Sequence, residues 1–198
     1  MVDVLGVNTA RKIAEWLDIG ADNTDVIEAE GAVPEIFPTT HEDEITEEKM
    51  AEAFTRWAKK RAVYVHEKKQ WYLWDGLVWR PDPSNAVRLL LSEFVSAAHD
   101  AQRHNRRFED ALRRFENLSK IKNTLELAQP RLAKSITEFD TDPMLFAAGN
   151  TWIDLKTGQP VTPQANTLVS LQSSVRYDPE GDCPVFKSFL HEIFLDDD

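Results

Sequence analysis

The chain has 198 residues, with 34 acidic and 23 basic side chains and a formal net charge of −11. That length buries a real core, as one domain with an appendage or as two small ones. No run approaches about 18 apolar residues and no basic segment leads into an apolar one at the start, which reads against a membrane span and a secretory signal; the single cysteine, Cys183, excludes an internal disulfide framework and fits a reducing cytoplasm.

The charge is unevenly spread. Residues 1–55 carry 3 basic and 14 acidic side chains, whereas residues 56–198 carry 20 of each. The acidity belongs to the N-terminal arm, and the remainder is free to meet an anionic partner. In that arm Asn8 or Thr9 caps a short helix with Ile13, Trp16 and Leu17 at helical spacing, ended by Gly20. Ala21 to Glu48 is acidic, holds Pro34 and Pro38, and has neither a 2.0 nor a 3.6 period. The predicted division is therefore residues 1–45 as an acidic arm or linker and residues 46–198 as a folded domain. The arm reads either as a solubilising tail or as a competitor with nucleic acid for a basic face behind it.

Thr46-Glu47-Glu48-Lys49 opens the next helix, with acidic residues where the macrodipole favours them, and Met50, Ala53, Phe54, Trp57 and Ala58 form its stripe. Lys59-Lys60-Arg61 ends it. The run from Val63 to Arg80 then holds Trp71, Trp74 and Trp79 and predicts an aromatic β-hairpin. Asp75-Gly76 suits a two-residue type I′ turn, which would pair Trp74 with Leu77. Core packing is the plain account of those aromatics.

Ser84 is a predicted cap for a helix with Val87, Leu90, Leu91, Phe94, Val95 and Ala98 on one face. His104-Asn105 breaks it. A second helical stretch carries Phe108, Leu112, Phe115 and Leu118, and a third, capped by Ser119, carries Ile121, Leu125 and Ala128 before Pro130. Residues 103–134 include Arg103, Arg106, Arg107, Arg113, Arg114, Lys120, Lys122, Arg131 and Lys134 against four acids, a local balance of +5. Such a patch fits phosphate contact, and equally an ordinary solvated surface or subunit interface in which arginines pair with Glu109, Asp110 or Glu116.

After Thr137 short strands alternate with turns: Met144 to Ala147, Thr151 to Leu155, Gln159 to Val161 and Val169 to Tyr177. A final helix bears Phe186, Phe189, Leu190, Ile193 and Phe194 and ends in Asp196-Asp197-Asp198. So apolar a helix either packs on the domain or precedes a further one. The expected fold is α+β: an aromatic hairpin, a central three-helix group, short C-terminal strands and a terminal helix.

Catalytic chemistry is not written in these residues. The phosphate-loop pattern fails at all seven glycines. Ser119-x-x-Lys122 and Lys156-Thr157-Gly158 match pieces of a penicillin-recognising serine enzyme only by coincidence. Asp140 and Asp142 read as turn caps in preference to metal ligands with Asp154, and the histidines show no zinc spacing. No metal ligand and no catalytic residue is assigned.

The segments Trp71 to Trp79, Ser119-Lys120, Gly149 to Gly158, Tyr177-Asp178-Pro179 and Cys183-Pro184-Val185-Phe186, in that order, resemble the domain that precedes the superfamily 3 helicase in phage and plasmid primase-helicases, relatives of poxvirus replicative ATPases. Trp71, Trp74, Asp75, Gly76, Trp79, Asn150, Asp154, Leu155 and Gly158 match the family pattern. The resemblance implies a middle segment of a DNA-replication protein, in a bacterial or phage-infected cytoplasm, with a primase upstream and an ATP- and magnesium-dependent helicase downstream. No cofactor is expected in these residues themselves. The expected role is a non-catalytic accessory domain that contacts single-stranded or forked DNA and positions the helicase; the alternative is an oligomerisation or docking module that binds no DNA.

Overall fold

The computed structural model describes residues 45–101 and 106–194. The predicted N-terminal helix, the acidic arm and the break at His104-Asn105 lie outside these residues. Among the described residues there are five α-helices and two small antiparallel-rich sheets, an α+β architecture. Helix α1 spans Glu47–Ala58, α2 Val87–Ala101, α3 Arg106–Arg113, α4 Leu118–Ala128 and α5 Pro184–Phe194. Strands β1 (Ala62–Val65), β2 (Gln70–Trp74), β3 (Trp79–Pro81) and β4 (Ala133–Lys134) form one sheet in the order β3-β2-β1-β4; β5 (Leu145–Ala147), β6 (Trp152–Asp154) and β7 (Gln159–Val161) form the other.

Alternation along the first sheet decides what each face covers. Ala62 pairs with Leu73 and Tyr64 with Trp71, and this face lies against α1, α2, α3 and α4 through Met50, Phe54, Phe94, Leu112 and Leu125. Val63 pairs with Tyr72, and with Val65, Trp79, Phe139 and Leu168 they fill the opposite face. Two-sided burial explains why both odd and even positions are aromatic or β-branched. The predicted single hairpin is thus a three-stranded meander: residues 66–69 turn between β1 and β2, with Lys69 at φ 51°, and the C-terminal strand β4 adds parallel to β1.

The Asp75-Gly76 turn differs from its two-residue expectation. Trp74 pairs with Trp79, not Leu77, and residues 75–78 form a four-residue loop closed by the Asp75 N–H donating to the Val78 carbonyl at 3.2 Å. Leu77 and Val78 are pulled out of the ladder because they are buried against Ala147, Trp152 and Val169 of the second layer. The Asp75 carboxylate stands in for the lost ladder: Oδ1 accepts from Leu77 N and Val78 N, both at 2.7 Å, and Oδ2 from Arg80 Nε at 2.6 Å. Gly76 sits at φ 94°, where a side chain would be strained.

The indole N–H groups tie the layers together. Trp79 Nε1 donates to the Ala165 carbonyl and Trp152 Nε1 to the Leu77 carbonyl, each at 2.8 Å, while the half-buried Trp74 ring meets Trp79 at 5.6 Å and Trp152 at 6.1 Å. Val169 to Tyr177 forms no regular strand. It is an extended strap held at separated points, where its Val169 and Val175 carbonyls accept from Trp79 N and Gly149 N and its Ser173 N donates to Ala147. Asp140, predicted as a turn cap, instead anchors this strap by accepting from Ser170 N, Ser170 Oγ and Leu171 N.

Helix starts also differ in detail. Thr46 caps α1 as expected, its hydroxyl accepting from Lys49 N at 3.3 Å. For α2 the buried Asp82 carboxylate, and not Ser84, accepts from Ala86 N at 2.8 Å and Val87 N at 2.9 Å; Ser84 donates to Asp82. For α4 the cap is Asn117, which accepts from Ser119 N. Leu118, predicted on the apolar stripe, is exposed. Helix α5 buries none of its residues, and Val185 and Phe194 are 83% and 74% exposed.

Three stability outcomes follow from this packing. Asp75→Ala leaves the buried loop N–H groups without their acceptor and Arg80 Nε without its carboxylate, and is expected to lower the unfolding free energy by about 2–4 kcal/mol in urea titrations. Thr124, fully buried on α4, has a hydroxyl with no hydrogen-bond partner, so Thr124→Val is expected to raise the urea midpoint, by about 1 kcal/mol equivalent. The half-buried Glu93 carboxyl is pushed up to about 7 from its ordinary 4.5 by burial, against the opposing pull of Arg61. Between those pH values the folded chain binds the extra proton, so stability falls as pH rises from about 4.5 to 7. Glu93→Gln is expected to flatten that limb of the pH-stability curve, by on the order of 1–2 kcal/mol after solvent screening.

Candidate nucleic-acid interface

The predicted basic surface lies on α3, on the 3₁₀ turn Arg114–Glu116, on α4, and on the turn Gln129–Arg131 that leads into β4. Leu112, Phe115, Thr124, Leu125 and Ala128 are buried and fix these elements against α1 and α2, leaving the polar positions between them outward. Arg103 lies outside the described residues. Arg106 and Arg107 lie on α3, with side chains that also fall outside the description.

The other six cations divide by partner. Lys120 Nζ donates to Glu47 Oε1 at 2.5 Å, and Arg131 donates to Glu48 and to the Leu127 carbonyl. Lys134 donates to Glu138 at 2.7 Å, and Lys122 lies 3.8 Å from Glu126. Arg113 and Arg114 are exposed and make no ion pair among the described residues. The predicted patch is therefore not a uniform cationic surface. The structure gathers Lys120 and Arg131 at the first turn of α1, places Lys134 on the sheet edge, and leaves the Arg113–Arg114 pair facing solvent.

The carboxylates respond to these contacts. Lys120 hydrogen bonding holds Glu47 below its ordinary 4.5, and Lys134 does the same for Glu138. Glu67 is lowered by the Ser135 hydroxyl, which donates to it at 2.6 Å and pins the β1–β2 turn to the residues after β4. All three carboxylates stay charged at neutral pH. Sequence reading gave Glu47 and Glu48 to the α1 macrodipole and missed their second task, because their partners lie 73 and 83 residues away.

The remaining matched positions have backbone and packing roles. Trp71 is buried under the helices, Asp75 and Gly76 shape the loop, and Trp79 joins the layers. Asn150 brackets Tyr177: its Nδ2 donates to the Tyr177 carbonyl at 3.1 Å and its Oδ1 accepts from Tyr177 N at 2.7 Å. Asp154 accepts from Lys156 N through its side chain and from Gly158 N through its carbonyl, and Gly158 takes φ 69° at the β6–β7 turn. Leu155, half of its surface in solvent, packs no core.

Nothing among the described residues brings together three His, Cys, Asp or Glu side chains that could hold a metal ion. A shallow groove of about 190 Å³ is lined by Val95, Ser96, His99, Leu112 and Glu116, but the Ser96 hydroxyl donates to its own helix at the Ser92 carbonyl, 2.9 Å away, so it is not engaged with a base. No described helix is long and apolar enough to cross a membrane.

Residues 51–195 match the family described as D5 N terminal like. A search of curated proteins found no match. With the match spanning most of the chain, the chain belongs to the D5 N terminal like family, a domain found in D5-like primase-helicases of phages and plasmids.

Proposed function

We propose that this chain is a non-catalytic accessory domain of a DNA primase-helicase that contacts single-stranded or forked DNA and helps position the helicase. The observation that carries the DNA contact is the Arg113–Arg114 pair, exposed and without an ion-pair partner among the described residues, at the junction of α3 and α4. Unpaired guanidinium groups retain their fork of donors for phosphate oxygens, whereas a cation already matched with a carboxylate must first surrender it. Arg106 and Arg107 lie about two helical turns upstream, in the first turn of α3. ATP and magnesium would serve a helicase elsewhere in the full protein, with a primase as the other neighbour.

A second reading, a docking or oligomerisation module, is favoured by α5, where Val185, Phe186, Phe189, Ile193 and Phe194 all stand at least half exposed. A contiguous apolar face of that kind marks an interaction surface. Fluorescence anisotropy with labelled single-stranded DNA, beside light scattering, separates the two. The expected outcome is binding that weakens as salt rises, and an Arg113→Ala/Arg114→Ala variant whose log K against log salt slope is shallower by about 1.4, since each single-strand phosphate contact contributes about 0.7. Absence of binding at low salt, together with a concentration-dependent rise in mass, would overturn the DNA reading and leave the docking one.

A further inference from the structure

Two contacts of the basic surface are made with carboxylates that follow directly on the acidic arm. Glu47 and Glu48 are consecutive residues in the first turn of α1, and their partners come from opposite ends of α4: Lys120 from its first turn and Arg131 from just beyond its last. Packing of α1 along α4 sets this register, since Met50, Ala51 and Phe54 of α1 and Leu125 and Ala128 of α4 share one buried cluster. Two adjacent negative charges are thereby each matched by a cation from a different end of α4.

We infer that the first turn of α1 is an internal competitor for the phosphate backbone: Glu47 and Glu48 occupy Lys120 and Arg131 in the free protein, and single-stranded DNA must displace them to engage those two cations. The inference rests on the DNA-contact reading above and names its regulation. Three features support it. The carboxylates and their partners all reach solvent, with side chains 28–57% exposed, so the contacts can open without disturbing the core. Exposed pairs of this kind are weak enough for a polyanion to compete with. Glu47, which the Lys120 hydrogen bond holds below its ordinary 4.5, carries its charge at neutral pH as any glutamate does, so the competition operates under ordinary conditions.

Counterion bookkeeping gives the competition a distinct signature. A free cation that meets a phosphate releases one condensed counterion, and binding acquires a salt slope of about 0.7 per contact on a single strand. A cation taken from a carboxylate gains no such slope, because the liberated carboxylate collects a counterion of its own. Lys120 and Arg131 should therefore be nearly silent in the salt dependence of the wild-type chain and visible once their carboxylates are neutralised.

The test is anisotropy with a labelled oligothymidylate over a salt series, on the full chain, for the wild type, for Glu47→Gln/Glu48→Gln, and for that variant with Lys120→Ala/Arg131→Ala added. Thermal unfolding confirms that each is folded. The expected result is a roughly three- to thirtyfold gain in affinity at low salt and a slope steeper by about 1.4 for Glu47→Gln/Glu48→Gln, both lost when the two cations are removed. As a charge control, Glu180→Gln/Glu192→Gln removes two exposed carboxylates on and near α5 and is expected to leave the slope unchanged. Wild-type binding with no change in the Glu47→Gln/Glu48→Gln variant would overturn the competition alone. So would a gain that survives loss of Lys120 and Arg131, or one matched by the charge control. Failure of every form to bind would overturn the DNA reading itself.

Discussion

The structure depends on a loop that sacrifices ladder pairing to reach a second core. Four residues follow Trp74 before the chain re-enters the sheet at Trp79, and the excursion buries Leu77 and Val78 against Trp152 and Val169. Two hydrogen bonds of 2.8 Å fix the arrangement across long stretches of chain, from Trp152 to the Leu77 carbonyl and from Trp79 to the Ala165 carbonyl. A buried indole needs an acceptor, and here each acceptor belongs to a segment with no regular partner of its own. The same contacts therefore satisfy the tryptophans and hold the C-terminal half of the chain against the meander.

Much of this was legible in the residues. Alternating aromatic and β-branched side chains from Val63 to Trp74 gave the strands, the Met50–Ala58 and Val87–Ala98 stripes gave α1 and α2, and Gly149-Asn150 and Lys156-Thr157-Gly158 marked the turns of the second sheet. What escaped was decided at long range. Asp75-Gly76 reads as a tight turn on local chemistry, but burial of the two apolar residues after it lengthens the loop. Ser84 reads as the α2 cap, yet Asn85 at φ 60° swings the chain so that Asp82 reaches the helix amides instead. Val169 to Tyr177 has the composition of a strand, but its contacts are spaced among Trp79, Asp140, Ala147 and Gly149 and so cannot form a ladder.

The candidate interface was half legible in the same sense. Counting charges along residues 103–134 found the cations but could not find what faces them, because ion pairs between α1 and α4 leave no trace in local sequence. Helix packing converts a local balance of +5 into a surface where Lys120, Lys122, Arg131 and Lys134 already have anionic neighbours, whereas Arg113 and Arg114 have no ion pair among the described residues. Net charge is an additive property of composition; availability for a ligand is a property of which side chains the fold sets opposite one another.

The order β3-β2-β1-β4 puts the two shortest strands on the rims of the first sheet, three residues on one side and two on the other, and the three-residue rim ends in Pro81. A proline lacks the amide that a recruited strand would need, and two residues offer too little ladder to template one. The sheet is thereby closed to growth by backbone pairing. The tryptophan-rich strands of this sheet can therefore be this apolar without inviting neighbouring chains to zip onto them.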